Sequence, residues 1–141
     1  MSEPSLFIDT SFIYALINPQ DQWHKAAVKL NQKLVIKRAP LVTAEFVLTQ
    51  IANGLSAIKF RQAAGKVIRI LLEDELVTVI PAATSLFTRG FDLYENRDDK
   101  SWGLTDCISF VVMKEHDLSV ALTTDDHFRQ AGFRALLLED V

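Results

Sequence analysis

Three aspartates stand where a phosphodiester could be hydrolysed. Asp9 closes the run Leu6-Phe7-Ile8, Asp106 opens an apolar stretch that continues to His116, and Asp125 follows Val120-Ala121-Leu122-Thr123. A short apolar run that ends in an acid reads as a buried strand with a carboxylate at its carboxyl end, the edge at which open α/β sheets bind ligands. Carboxylates gathered at one point repel one another and resist ionisation unless a hard cation such as Mg²⁺ or Mn²⁺ joins them through oxygen. Such a cation lowers the pKa of a bound water and stabilises the charge that develops on a phosphodiester. Hydrolysis of that bond is the chemistry these positions point to. The structural alternative is plain: a strand-end aspartate also serves as a helix cap.

The elements that would position these acids follow from hydrophobic spacing. Leu6-Phe7-Ile8 is a first strand, and Thr10 and Ser11 can cap a helix over Phe12 to Ile17, stopped by Asn18-Pro19. Asp21 can cap a longer helix through Trp23, Leu30 and Leu34; Leu41-Val42-Thr43 is a second strand, and Phe46, Val47, Ile51 and Leu55 recur at helical spacing after it. Phe60, Ala64, Val67 and Leu71 form the apolar stripe of a further surface helix from Ser56. Val77 to Ile80 is a third strand closed by Pro81, and a helix runs from Thr84 to Asn96 into the charged loop Arg97-Asp98-Asp99-Lys100. Thr105 caps the helix from Asp106 to His116, which is apolar on nearly every side and therefore central. A fourth strand over Val120 to Thr123, a turn or short helix over Asp125 to Ala131 and an edge strand over Phe133 to Leu138 complete the chain. Strands alternating with helices predict a three-layer α/β fold, a mainly parallel sheet covered on both faces, in one domain spanning residues 1–141.

Ile8-Asp9-Thr10-Ser11, Leu104-Thr105-Asp106-Cys107 and Thr123-Thr124-Asp125-Asp126-His127-Phe128, in this order and at these intervals, resemble the PIN domain over essentially the whole chain. The likeness is strongest to stand-alone bacterial PIN proteins, which include toxins of VapC-type toxin–antitoxin pairs. It implies a sheet in the order 3-2-1-4-5, which sets the first and fourth strands side by side. It also implies a Mg²⁺- or Mn²⁺-dependent endoribonuclease in which Asp9, Asp106 and Asp125 hold the metal, supported by Thr10, Ser11 and Thr123. An antitoxin protein and a second copy of the chain are the partners it implies.

One position departs from the family pattern. Within the helix after the second strand the family places a glutamate, and the matching position here is Gln50. Glutamine keeps a carbonyl oxygen but loses the charge that attracts a cation. Glu45 and Asp99 are candidates to compensate. Glu45, however, lies five residues before Gln50, about 140° away around a helix, and Asp99 can serve as a turn residue. The alternative function is therefore a PIN-fold module with a weakened site, kept to bind RNA or protein.

Composition narrows the rest. The net charge of −3 over 141 residues argues against bulk electrostatic capture of nucleic acid, so RNA contacts must be local. Arg97 and Lys100 are the candidates, because their loop leads into the Asp106 helix, and Trp102 beside them is a candidate stacking platform. His127 could donate a proton, contact phosphate or fill a turn. The three histidines are scattered, which argues against a zinc site. The single cysteine, Cys107, lies in an apolar run and reads as buried. No apolar run reaches the length of a membrane span, and Met1 to Leu6 lacks an export pattern, so a cytoplasmic protein is expected. Glycine-rich nucleotide loops and a Gly-x-Ser-x-Gly turn are absent.

Overall fold

A computed structural model describes residues 4–139. The opening residues Met1 to Glu3, part of the segment read for an export pattern, lie outside the described residues. Five parallel strands form one sheet in the order β3-β2-β1-β4-β5, the order that the resemblance implies. They are β1 (Leu6–Ile8), β2 (Leu41–Ala44), β3 (Val77–Ile80), β4 (Val120–Leu122) and β5 (Arg134–Ala135). Phe7 pairs with Val42 on one side and Ala121 on the other, so β1 is central and its carboxyl end is flanked by two neighbours.

Among the described residues seven α-helices connect the strands: α1 (Thr10–Ile17), α2 (His24–Lys37), α3 (Glu45–Gly54), α4 (Ile58–Glu73), α5 (Thr84–Asn96), α6 (Leu104–Glu115) and α7 (Asp126–Gln130). Among the described residues no helix is long and apolar enough to cross a membrane. α6 is the most deeply set, with Cys107, Ile108, Phe110, Val112 and Met113 all buried, as its nearly continuous apolar sequence requires. It packs closely on α5. A Cβ added at Gly90 would stand 2.4 Å from Cγ1 of Ile108, so only glycine lets the two helices approach at this point.

An aromatic cluster fixes α6 against the last third of the chain. Phe110 meets Trp102 edge-on at 5.0 Å between ring centroids, Phe128 edge-on at 4.9 Å, and Phe133 at 5.8 Å. Asp106 lies one helical turn before Phe110, and His127 directly precedes Phe128. The burial that drives this packing therefore also brings Asp106 and His127 together.

Several local readings of the sequence are corrected. The N-cap of α1 is Asp9 and not Thr10 or Ser11, which lie inside the helix: Asp9 Oδ2 accepts from the Ser11 backbone N–H at 3.3 Å. Thr105 also lies within its helix, and Asp106 reaches back instead, its Oδ2 accepting from the Gly103 N–H at 3.2 Å. Carboxylates displace neighbouring hydroxyls here because an ionised acceptor binds an orphan amide more strongly. Asp21 accepts from the Trp23 N–H one turn before α2 begins. The edge strand is only two residues long and continues as a 3₁₀ turn over Leu136–Leu138.

Candidate metal centre

Each of the three aspartates begins a helix, and all three helices start at the carboxyl edge of the sheet. Asp9 follows β1, Asp125 follows β4 and caps α7 by accepting from the His127 N–H at 2.9 Å, and Asp106 sits in the first turn of α6. Capping and clustering are therefore the same arrangement: the capping bonds hold the carboxylates where the helix starts converge.

Asp9 is the most enclosed, only 5% exposed. All its hydrogen bonds fall on Oδ2, which accepts from the Thr123 hydroxyl at 2.7 Å, the Ser11 hydroxyl at 2.8 Å and the Ser11 amide. The two hydroxyls are themselves aimed by backbone amides, since Thr123 Oγ1 accepts from the Asp125 N–H and Ser11 Oγ from the Thr124 N–H, each at 3.0 Å. Ser11 and Thr123 thus orient the Asp9 carboxylate. Burial nevertheless pushes the Asp9 pKa up to about 6; the hydrogen bonds from Thr123 and Ser11 oppose this, and the nearby charge of Asp106 adds to it.

Asp106, Asp125 and His127 form the second half of the site. One donor atom from each lies within 4.8 Å of the others. His127 Nδ1 is 3.1 Å from Asp106 Oδ2 and 3.4 Å from Asp125 Oδ1. Burial again raises the Asp106 pKa, with the charge of Asp125 adding and the hydrogen bonds from His127 and Gly103 opposing. Asp9 and Asp106, each raised by burial and by the charge of another acid, belong to a donor set that a divalent cation would neutralise. By the chemistry of these donors, the residues fit such an ion.

The remaining candidates separate clearly. Thr10 is buried and its hydroxyl donates to Gln50 Oε1 at 2.6 Å, so the departure from the family pattern sits beside Asp9, joined to the residue after it. Glu45 points elsewhere: its Oε1 accepts from the Ala82 N–H between β3 and α5, and it does not replace a charge at Gln50. Asp99 is exposed and held by the Arg97 guanidinium in a two-point pair at 2.9 and 3.1 Å, outside the cluster. Neither candidate to compensate for Gln50 reaches the site.

The loop before α6 borders the site, because Ser101 Oγ stands 3.4 Å from His127 Nε2. Within it Arg97 is occupied by Asp99 and lies 4.9 Å over the Trp102 ring. Trp102 is no stacking platform for bases: it is 5% exposed, its face covered by Arg97, its edge set against Phe110 and its indole N–H donating to Gln130. Lys100 forms no ion pair among the described residues. The sequence reading ranked a turn-filling role for His127 ahead of a proton or phosphate role and did not set it beside Asp106 and Asp125. Its signal was the spacing Asp125-Asp126-His127 at a helix start, which folds the imidazole back over the cap.

Comparisons with known proteins agree with this geometry. The family model of the PIN domain matches residues 6–134. The 23S rRNA-specific endonuclease VapC20 of Mycobacterium tuberculosis (strain ATCC 25618 / H37Rv) is 29% identical over 129 residues, covering 91% of this chain and 95% of the relative. The crystal structure of VapC20, a Sarcin-Ricin loop cleaving toxin, matches with a TM-score of 0.78 at 27% identity over 91% of this chain and 95% of that one. FitAcB from Neisseria gonorrhoeae shares the fold, with a TM-score of 0.61 at 17% identity over 92% and 94%. So does VapBC2 from Rickettsia felis, bound to a promoter DNA fragment, with a TM-score of 0.64 at 14% identity over 93% and 96%. With the family model spanning residues 6–134, from the start of β1 to the first residue of β5, the chain belongs to the PIN domain family.

Proposed function

We propose that this chain is a divalent-metal-dependent endoribonuclease, a toxin of the VapC kind, that uses Asp9, Asp106 and Asp125 to hold Mg²⁺ or Mn²⁺. The observation that supports this reading is the cluster of Asp106, Asp125 and His127 donor atoms within 4.8 Å of one another, with Asp9 tied to the Asp125 backbone through Thr123 and feeling the charge of Asp106. When bound, the cation activates water and offsets negative charge on the phosphate. The chain's own residues fix the acids: Thr123 and Ser11 orient Asp9, the α6 amide of Gly103 orients Asp106, and α7 orients Asp125.

Lys100, on the loop that borders the site, meets the RNA phosphates, with Arg97 joining once it exchanges Asp99 for phosphate. The substrate to test first is the sarcin–ricin loop of 23S rRNA, named for the relative VapC20. An antitoxin protein and a second copy of the chain are the proposed partners, and the cytoplasm is the compartment this activity needs. The reading of Gln50 as the mark of a non-catalytic module is not favoured, because Gln50 leaves the Asp106, Asp125 and His127 cluster intact and the named relative VapC20 is an endonuclease.

The test is cleavage of 23S rRNA fragments with Mg²⁺, Mn²⁺ or chelator, beside the Asp106→Asn variant. Metal-dependent cleavage that is lost in the variant is the expected result. Intact RNA under every metal condition overturns the reading for those substrates.

A further inference from the structure

The acid cluster of this chain departs from an all-carboxylate donor set at two places at once. Gln50 supplies no charge, and the imidazole of His127 stands inside the carboxylate cluster. Resting on the metal-dependent reading above, we propose that His127 is a nitrogen ligand that tunes the site toward first-row transition cations, Mn²⁺ and Co²⁺, ahead of Mg²⁺.

The geometry favours coordination through Nδ1. That nitrogen faces both Asp106 Oδ2 at 3.1 Å and Asp125 Oδ1 at 3.4 Å. Donors bound to one metal at about 2.0–2.1 Å lie about 2.8–3.0 Å apart along the edges of an octahedron and about 3.3–3.4 Å apart along those of a tetrahedron. The two edges that meet at Nδ1 are therefore close to those of a coordination shell, and a cation would replace the hydrogen bond that joins His127 to Asp106 in the metal-free protein. Nε2 faces outward toward Ser101 Oγ at 3.4 Å, so it can carry the ring proton and donate to that hydroxyl. A ligating histidine commonly donates its other ring N–H to such a neighbour, which fixes the tautomer.

The main chain places the ring. The His127 amide donates to Asp125, and the adjacent Phe128 is fully buried against Phe110, so the Cα of His127 is held beside the two acids. At 26% side-chain exposure it remains reachable by a cation from solvent. Mg²⁺ prefers oxygen donors and holds its waters tightly, whereas imidazole binds increasingly well along the first-row series from Mn²⁺ to Co²⁺. A site that has lost one acid and gained one imidazole shifts its preference in that direction.

The experiment measures binding rather than cleavage. Free Mn²⁺ is counted by room-temperature electron paramagnetic resonance, Co²⁺ is followed by visible absorption and by hyperfine-shifted imidazole proton signals, and Mg²⁺ is measured by competition. Wild type, His127→Ala, His127→Asp and Asp106→Asn are compared, with circular dichroism confirming that each is folded. Loss of a metal ligand is expected to weaken Mn²⁺ and Co²⁺ by at least about 10-fold in His127→Ala, while Mg²⁺ changes much less. In His127→Asp the Mg²⁺ affinity rises and the shifted imidazole signal disappears. Equal affinities in wild type and His127→Ala, with Asp106→Asn losing all three cations, would overturn the role of His127 and leave the metal-dependent reading standing. If the wild type binds none of the three, both fall together.

Discussion

The Thr123 hydroxyl donates to Asp9 Oδ2 at 2.7 Å, joining positions 114 residues apart at the ends of two adjacent parallel strands. Thr123 in turn accepts from the Asp125 N–H, so one hydroxyl ties the first of the three candidate aspartates to the backbone of the third. Asp9 is thereby held against its own tendency to protonate. Burial raises its pKa while the hydroxyls stabilise its charge, and the outcome is a carboxyl poised near neutrality in the metal-free protein.

Asp9 should therefore set the pH dependence of metal-free stability. Its folded pKa is about 6 against an ordinary 3.8, so the stability that it contributes is fully present below 3.8 and is lost as pH rises through about 6. The loss is on the order of 3 kcal/mol. In chelator, wild type should melt lower at pH 8 than at pH 5 relative to Asp9→Asn, which keeps acceptors for Ser11 and Thr123 but has no charge. Thermal melts of the two proteins across this range check it, and parallel curves would refute it. A saturating cation should cancel the difference by holding the carboxylate ionised.

Gln50→Glu should strengthen Mg²⁺ binding. The side chain already reaches the Thr10 hydroxyl at 2.6 Å, so glutamate can keep that contact and add a charge beside Asp9. An increase of about 10-fold in Mg²⁺ affinity is expected, equivalent to about 1.4 kcal/mol. Without metal the same variant should lower the melting temperature at pH 8, because another acid joins a repelling group. Calorimetric titration and melts in chelator measure the two effects.

Phe110→Ala should cost about 3–5 kcal/mol, since it empties the centre of the aromatic cluster. Metal affinity should fall as well, because Phe110 against Phe128 holds Asp106 near His127. Phe110→Leu, which refills most of the volume, should recover much of both. Denaturant unfolding followed by Mn²⁺ titration of each folded variant separates the two losses.

Glu45→Gln and Asp99→Asn should leave metal affinity within about 2-fold of wild type, which is near the experimental noise of about 0.4 kcal/mol. Glu45 is engaged by the Ala82 amide and Asp99 by Arg97. Asp99→Asn should instead strengthen RNA binding at low salt by releasing the Arg97 guanidinium to phosphate. Filter binding over a salt series would show it, and an unchanged affinity would remove Arg97 from the RNA surface.

Hydrophobic period alone determined most of the architecture: apolar runs too short for helices became strands, longer stripes at helical spacing became the layers over them, and alternation of the two required a parallel sheet. The three aspartates were legible because each follows a strand or opens a helix, positions set by local chemistry. What only the tertiary structure decided is which distant groups meet there. Glu45 and Asp99 have the same carboxylate chemistry as Asp106, yet one turned to a backbone amide and the other to Arg97. Trp102 had the type of a base-stacking residue, but its burial against Phe110 assigned it to the core. His127 looked like a turn residue until the packing of Phe128 on Phe110 swung its ring between two acids. Spacing fixes where a side chain starts along its element; long-range packing fixes what stands opposite, and coordination depends on the second.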